Sequence, residues 1–255
     1  MGSLLEGKTV VVTGGGHGIG RAYCLGIARE GGQAVVADLD GPAAERVARE
    51  IEQAGGQALA VQMDVAQAAS CEAMVQRTLD RFGQIDGLVN NAAIFLSVPL
   101  ERGGVHDVRE EEWDRVMAVN VKGVWLCTRA VLPAMQERRQ GSIVNISSNM
   151  AFQGSLGMIH YVTSKAAVVG FSRVLAREMG PFNIRVNTLA PGLTLSEEEP
   201  TEESIAANER TAAGRLLKRI ERPDDLVGTA LYLLSDLSSF VTGQAILVNG
   251  GAVLH

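Results

Sequence analysis

Short apolar runs alternate with amphipathic stretches of helical length along the whole chain. Residues 9–13, 34–37, 58–61, 87–89, 142–146, 185–189 and 245–248 are short runs that are largely apolar, with many β-branched or small side chains. Strands that hide both faces read this way, so seven buried strands are predicted. Helical periodicity covers 20–30, 43–54, 70–82, 111–137, 162–179 and 224–234. Alternating strands and helices, with strands apolar on both faces, predict an α/β fold: a doubly wound parallel sheet covered on both sides. Ligands in such folds bind at the carboxyl ends of the strands.

No Pro/Ser/Gly-rich tract divides the 255 residues, so a single domain spanning 1–255 is expected. The most irregular stretch is 193–217, where the acidic string S-E-E-E-P-T-E-E-S reads either as a solvated loop or as a mobile lid over the strand ends.

Composition narrows the possibilities. Hydrophobic residues make up 46% of the chain and charged residues 20%, enough for a substantial core. The net charge of −6 gives no general attraction to nucleic acid or anionic membrane, and neither partner is expected. Cys24, Cys71 and Cys127 lack metal-ligand spacing and are read as packing residues in a reduced protein. With no signal-like start and no long apolar run, a cytoplasmic location is expected. No metal site is predicted.

Glycine is over-represented, at 29 residues, and five of these fall between Gly14 and Gly20. The first strand runs directly into T-G-x-x-x-G-x-G, Thr13 to Gly20, and a helix follows. Bare backbone at Gly14, Gly16, Gly18 and Gly20, opening a helix whose first amides are free, suits a dinucleotide pyrophosphate. Asp38 ends the second strand, 18 residues beyond Gly20. A carboxylate there accepts from ribose hydroxyls and repels a 2′-phosphate, so NAD is expected over NADP. His17 and Leu39 offer no fixed cation to such a phosphate.

Tyr161 and Lys165 lie four residues apart at a predicted helix start, so both project from one face. A nearby ammonium is expected to lower the phenol pKa and make Tyr161 an acid–base group for an alcohol or ketone. Ser148, 13 residues upstream at a strand end, can reach the same substrate oxygen.

The order T-G-G-G-H-G-I-G, N-N-A-A at 90–93, V-N at 119–120, Y-V-T-S-K at 161–165 and P-G at 191–192 resembles the short-chain dehydrogenase/reductase family, single-domain branch, from about 7 to 251. The resemblance implies a Rossmann-type fold and a catalytic set of Ser148, Tyr161 and Lys165, with Asn120 linking Lys165 through water. It further implies that Gly14, Ile19 and Asp38 complete the nucleotide site, with Asp64 and Val65 at the adenine, Asn91 and Ala92 along the cofactor, and the Thr194 backbone at the nicotinamide carboxamide. Pro191, Gly192 and Ser196 belong to the same segment, Ser196 standing where the family often has threonine. Ala93 replaces the usual glycine of N-N-A-G, and Asn249 replaces a common acid near the C-terminus.

The expected activity is NAD(H)-dependent interconversion of a secondary alcohol and a ketone. Ile94, Phe95, Leu96, Met150, Phe152, Met158, Leu193 and Leu195 are candidate pocket residues and favour an apolar small-molecule substrate. The segment 100–107 looks long enough to rim the pocket. His160 is expected to cap the Tyr161 helix and His106 to be exposed. A 3-oxoacyl-[acyl-carrier-protein] reductase is the rival reading; Arg138, Arg139 and Arg177 could receive an acidic carrier, whereas Asp38 and the acidic 197–203 stretch oppose it. A non-catalytic dinucleotide sensor would have no need of Ser148, Tyr161 and Lys165 together. The resemblance also implies a homotetramer packed through 111–137 and 162–179.

Overall fold

A computed structural model describes residues 3–95, 98 and 100–255. The seven predicted strands form one parallel sheet in the order β3-β2-β1-β4-β5-β6-β7. They are β1 (Thr9–Thr13), β2 (Gln33–Asp38), β3 (Gln57–Gln62), β4 (Gly87–Asn90), β5 (Gly141–Ile146), β6 (Ile184–Pro191) and β7 (Ala245–Val248). The order reverses between β1 and β4, and their carboxyl ends open a crevice there.

Successive residues of β1 serve opposite cores. Val10 and Val12 pack with Tyr23, Ile27, Leu226 and Leu231, from α1 (Gly18–Arg29) and α9 (Asp224–Leu234), while α2 (Gly41–Gln53) contributes Val47 and Ile51 to the same face. Val11 packs with Met74 of α3 (Ala68–Phe82), with Leu126 and Val131, and with Leu175 on the other face. This two-sided burial is what the uninterrupted apolar runs require.

The helix predicted over 111–137 is broken into α4 (Glu110–Met117), a π turn at Ala118–Lys122 and α5 (Gly123–Arg138). Helical period alone does not reveal the wider turn, and such turns often mark functional positions. A short α6 (Met150–Gln153) precedes α7 (Ile159–Met179).

The stretch read as irregular contains a 13-residue helix, α8 (Glu202–Gly214). The Thr201 hydroxyl accepts from the Ser204 amide, and Glu202 and Glu203 occupy the first turn, where negative charge complements the helix dipole. Glu202 and Glu203 are thus a helix start, while the acids at 197–199 precede it. Cys71 and Cys127, distant in sequence, bring their sulfurs to 3.6 Å inside the core, and all three cysteines are buried and free. Among the described residues no helix is long and apolar enough to cross a membrane.

Candidate active site

The glycine turn sits at the reversal of strand order and is shaped by contact. A side-chain carbon at Gly20 would lie 1.9 Å from the Gly14 carbonyl, so the turn closes only around bare backbone. Thr13 Oγ1 accepts from the amides of Asn91 (3.0 Å) and Ala92 (3.1 Å), and Asn91 Nδ2 donates to the Thr13 and Gly14 carbonyls at 3.0 and 3.1 Å. Asn91 and Ala92 therefore brace the turn. His17 stands at the N-cap of α1 without a side-chain cap bond, leaving the first amides of the helix to another acceptor. Bare backbone and uncapped amides together fit a pyrophosphate. Ile19 turns inward against the core.

Asp38 accepts from the Gly16 amide at 2.8 Å through Oδ2 and from the Asp40 amide at 3.0 Å through Oδ1. Its carboxylate thus binds the turn while standing at the strand end where a ribose would lie. Leu39 is exposed. The sequence reading missed Arg46 of α2, which reaches the Gly16 carbonyl (3.4 Å) and pairs with Glu198 at 3.0 Å. Two acids, Asp38 and Asp40, and the Glu198 partner outweigh that cation, and His17 is itself paired with Asp40 at 3.1 Å. Beyond β3, Asp64 forms a local turn by accepting from the Ala66 amide, and Val65 packs beneath Gly123.

Tyr161 and Lys165 occupy the first two turns of α7 and are buried, at 5% and 3% exposure. Helix and sheet are pinned at this point: Lys165 Nζ donates to the Ile146 carbonyl (2.9 Å), and the Ser147 hydroxyl donates to the Lys165 carbonyl (2.7 Å). Burial lowers the Lys165 pKa to about 8. Burial also pushes the Tyr161 phenol above its ordinary value, with the neighbouring Ser148 hydroxyl opposing it. The expectation that Lys165 would lower the phenol pKa is not met here. Its ammonium, 5.8 Å from the Tyr161 ring centre, is turned to the strand carbonyl, and desolvation dominates.

Ser148 is buried at the end of β5, its oxygen accepting from the Met150 amide at 3.2 Å. Asn120 lies in the π turn, fully buried. Its Oδ1 accepts from the Ile94 amide (2.8 Å) and its Nδ2 donates to Ser164 Oγ (3.1 Å), joining the segment after β4 to α7 one residue from Lys165. Asn90 serves the core, donating to Asn145 and Thr128.

Phe95 stacks on Tyr161 with ring centres 4.4 Å apart, and Phe152 meets His255 at 4.7 Å. Ile94, Met158 and Leu195 are buried, whereas Met150, Phe152 and Leu193 are partly open; Leu96 lies outside the described residues. The segment 100–107 joins the approach to Tyr161 through a bridge between Gly103 and Met158. His106 is exposed. His160 does not cap α7: it is the second residue of the helix, fully buried, with Nε2 3.9 Å from Glu112.

Pro191 ends β6, and Gly192, Leu193 and Thr194 follow at its carboxyl edge. Ser196 packs against Gly18 of the glycine turn. Two residues missed by the sequence reading, Arg215 and Glu221, lie buried behind this segment as an ion pair at 3.2 Å.

A sequence model of the short chain dehydrogenase family matches residues 8–204. The chain belongs to this family. As a family member it is an oxidoreductase that uses a nicotinamide dinucleotide. It is 38% identical to the 3-oxoacyl-[acyl-carrier-protein] reductase FabG of Thermotoga maritima, covering 98% of this chain and 99% of that protein. It is 37% identical to the (2S)-[(R)-hydroxy(phenyl)methyl]succinyl-CoA dehydrogenase subunit BbsD of Thauera aromatica, covering 98% of each. A solved 3-ketoacyl-(acyl-carrier-protein) reductase of Brucella melitensis, complexed with NADH, superposes with a TM-score of 0.88 at 34% identity, covering 98% of this chain and 99% of that one.

Proposed function

We propose that this short chain dehydrogenase interconverts a secondary alcohol and a ketone, with NAD(H) as hydride carrier and Tyr161 as the acid–base residue. The observation that carries the reading is the meeting of Ser148, Tyr161 and Lys165 beside a bare glycine turn backed by Asp38. When bound, the nicotinamide supplies the hydride acceptor or donor. The Ser148 hydroxyl orients the substrate oxygen, and Tyr161 delivers a proton to it in reduction or removes one in oxidation. Lys165, anchored to the Ile146 carbonyl, keeps a positive charge 5.8 Å from the Tyr161 ring, and Asn120 holds the turn against α7 for the proton relay. Gly14, Gly16, Gly18, Ile19 and Gly20 would hold the pyrophosphate, Asp38 the adenosine ribose, Asp64 and Val65 the adenine, and the 191–196 segment the nicotinamide.

NAD preference rests on Asp38, with Asp40 nearby and Arg46 neutralised by Glu198. Asp38→Ala is expected to narrow the ratio of kcat/KM for NAD to that for NADP by about tenfold or more, since setting like charges against each other at a binding surface costs on the order of several kcal/mol. NADH affinity should fall at the same time, because Asp38 also holds Gly16. An unchanged ratio would refute the assignment.

An apolar substrate is favoured by Phe95 against Tyr161, with Phe152 and Met150 at the rim. The names of the Thermotoga and Thauera relatives raise a second reading, in which the ketone is carried on an acyl carrier or CoA. The Brucella relative pairs its acyl-carrier name with NADH, so cofactor choice does not separate the two. Within one chain Arg177 lies at the far end of α7, about 24 Å from Tyr161 at helical rise, and Arg138 is engaged with Asp86 at 2.9 Å. NADH oxidation measured with aryl and alkyl ketones, sugars, and acetoacetyl thioesters tests the choice: fastest turnover of a free apolar ketone supports the first reading, and of a thioester the second. A homotetramer is proposed from the outward-facing Trp125 of α5 and Val174 of α7.

A further inference from the structure

Arg215 and Glu221 belong to none of the motifs that define the site, yet they are among its most buried charges, at 1% and 4% exposure. Taking two charges out of water costs several kcal/mol apiece, and mutual attraction often fails to offset it. Their surroundings indicate what the pair organises. Glu221 Oε1 accepts from the Gly192 amide (3.1 Å) and the Thr194 hydroxyl (2.8 Å). The Leu195 amide donates to the Glu221 carbonyl (2.9 Å), and Arg215 Nη2 donates to the Leu193 carbonyl (2.6 Å). Every residue of 192–195 is therefore bonded to one member of the pair.

Shape agrees with bonding. A side-chain carbon at Gly192 would stand 2.6 Å from Glu221 Oε2 and 3.0 Å from Arg215 Nη2, so any larger residue there would push the pair out of its present position. The pair makes no such bonds to the glycine turn, to Asp38 or to Val65, which lie across the crevice at the ends of β1, β2 and β3.

Resting on the nicotinamide dinucleotide reading above, we infer that Glu221 and Arg215 are positioning residues for the nicotinamide end of the cofactor alone. They set the backbone of 192–195, and the adenosine end is held independently of them.

The test compares NADH with ADP-ribose, which lacks the nicotinamide, by calorimetric titration of the full chain as wild type, Glu221→Gln, Thr194→Val and the double variant. NADH affinity is expected to fall about tenfold in each single variant, with ADP-ribose affinity changed less than twofold. Glu221→Gln removes the charge paired with Arg215 and weakens the acceptor that the Thr194 hydroxyl uses, so the two changes act on one network and the double variant should lose less than the sum of the two single losses. Thr194→Val keeps the ion pair intact, so the result does not depend on Glu221→Gln folding. Equal losses for the two ligands, no loss of NADH in Thr194→Val, or fully additive losses would overturn the inference. Failure of the wild type to bind NADH would instead overturn the dinucleotide reading, and the inference with it.

Discussion

Tyr161→Phe is expected to lower turnover by about a thousandfold, within the range typical of a lost general acid–base group, while NADH affinity stays within about twofold. The substitution is unusually clean in this setting. Phenylalanine keeps the ring that stacks on Phe95 at 4.4 Å and removes only the hydroxyl beside Ser148. Steady-state rates together with an NADH fluorescence titration check both halves of the expectation. Undiminished turnover would remove Tyr161 from the mechanism.

Lys165→Met should separate stability from activity. An unfolded chain leaves the lysine near 10.5, and burial holds it at about 8 in the folded protein. Between those values the unfolded state carries more protons, so this residue makes stability rise with pH across that window, and its cost is fully present below pH 8. That cost is about 3 kcal/mol at neutral pH, partly offset by the charged hydrogen bond to the Ile146 carbonyl. Methionine is therefore expected to raise Tm by a few degrees at pH 7 while lowering turnover by about a hundredfold or more. In the wild type, ketone reduction should be level below pH 8 and fall above it as the ammonium is lost; in the variant the step near pH 8 should vanish. A variant that is less stable than the wild type, or that keeps the step, would contradict this account.

The parts of the molecule that were readable in advance are those governed by short-range rules. Strand runs such as 9–13 were legible because both faces are buried, and Tyr161 and Lys165 because helical pitch fixes which residues share a face. Helix α8 was obscured by its own acids: Glu202 and Glu203 look like loop residues until Thr201 is seen to cap Ser204. The π turn at Ala118–Lys122 inserts no change of composition, so period-counting passes over it. Long-range pairings left no signal. Nothing in the local sequence says that Lys165 faces the Ile146 carbonyl, that Arg46 meets Glu198, or that Arg215 and Glu221 turn toward 192–195.

Helix α7 carries Tyr161 and Lys165 on one 21-residue rod fastened to β5. Their separation is set by helical pitch, whereas Phe95, the 100–107 segment and Leu193 come from loops outside that rod. On the proposed reading, proton transfer is therefore fixed by helical pitch, while substrate selection falls to loops that touch the rod at its first turn, Phe95 on Tyr161 and Gly103 beside Met158. Exchange of those loops is then expected to re-aim such a chain at a new substrate while the spacing of Tyr161 and Lys165 travels unchanged.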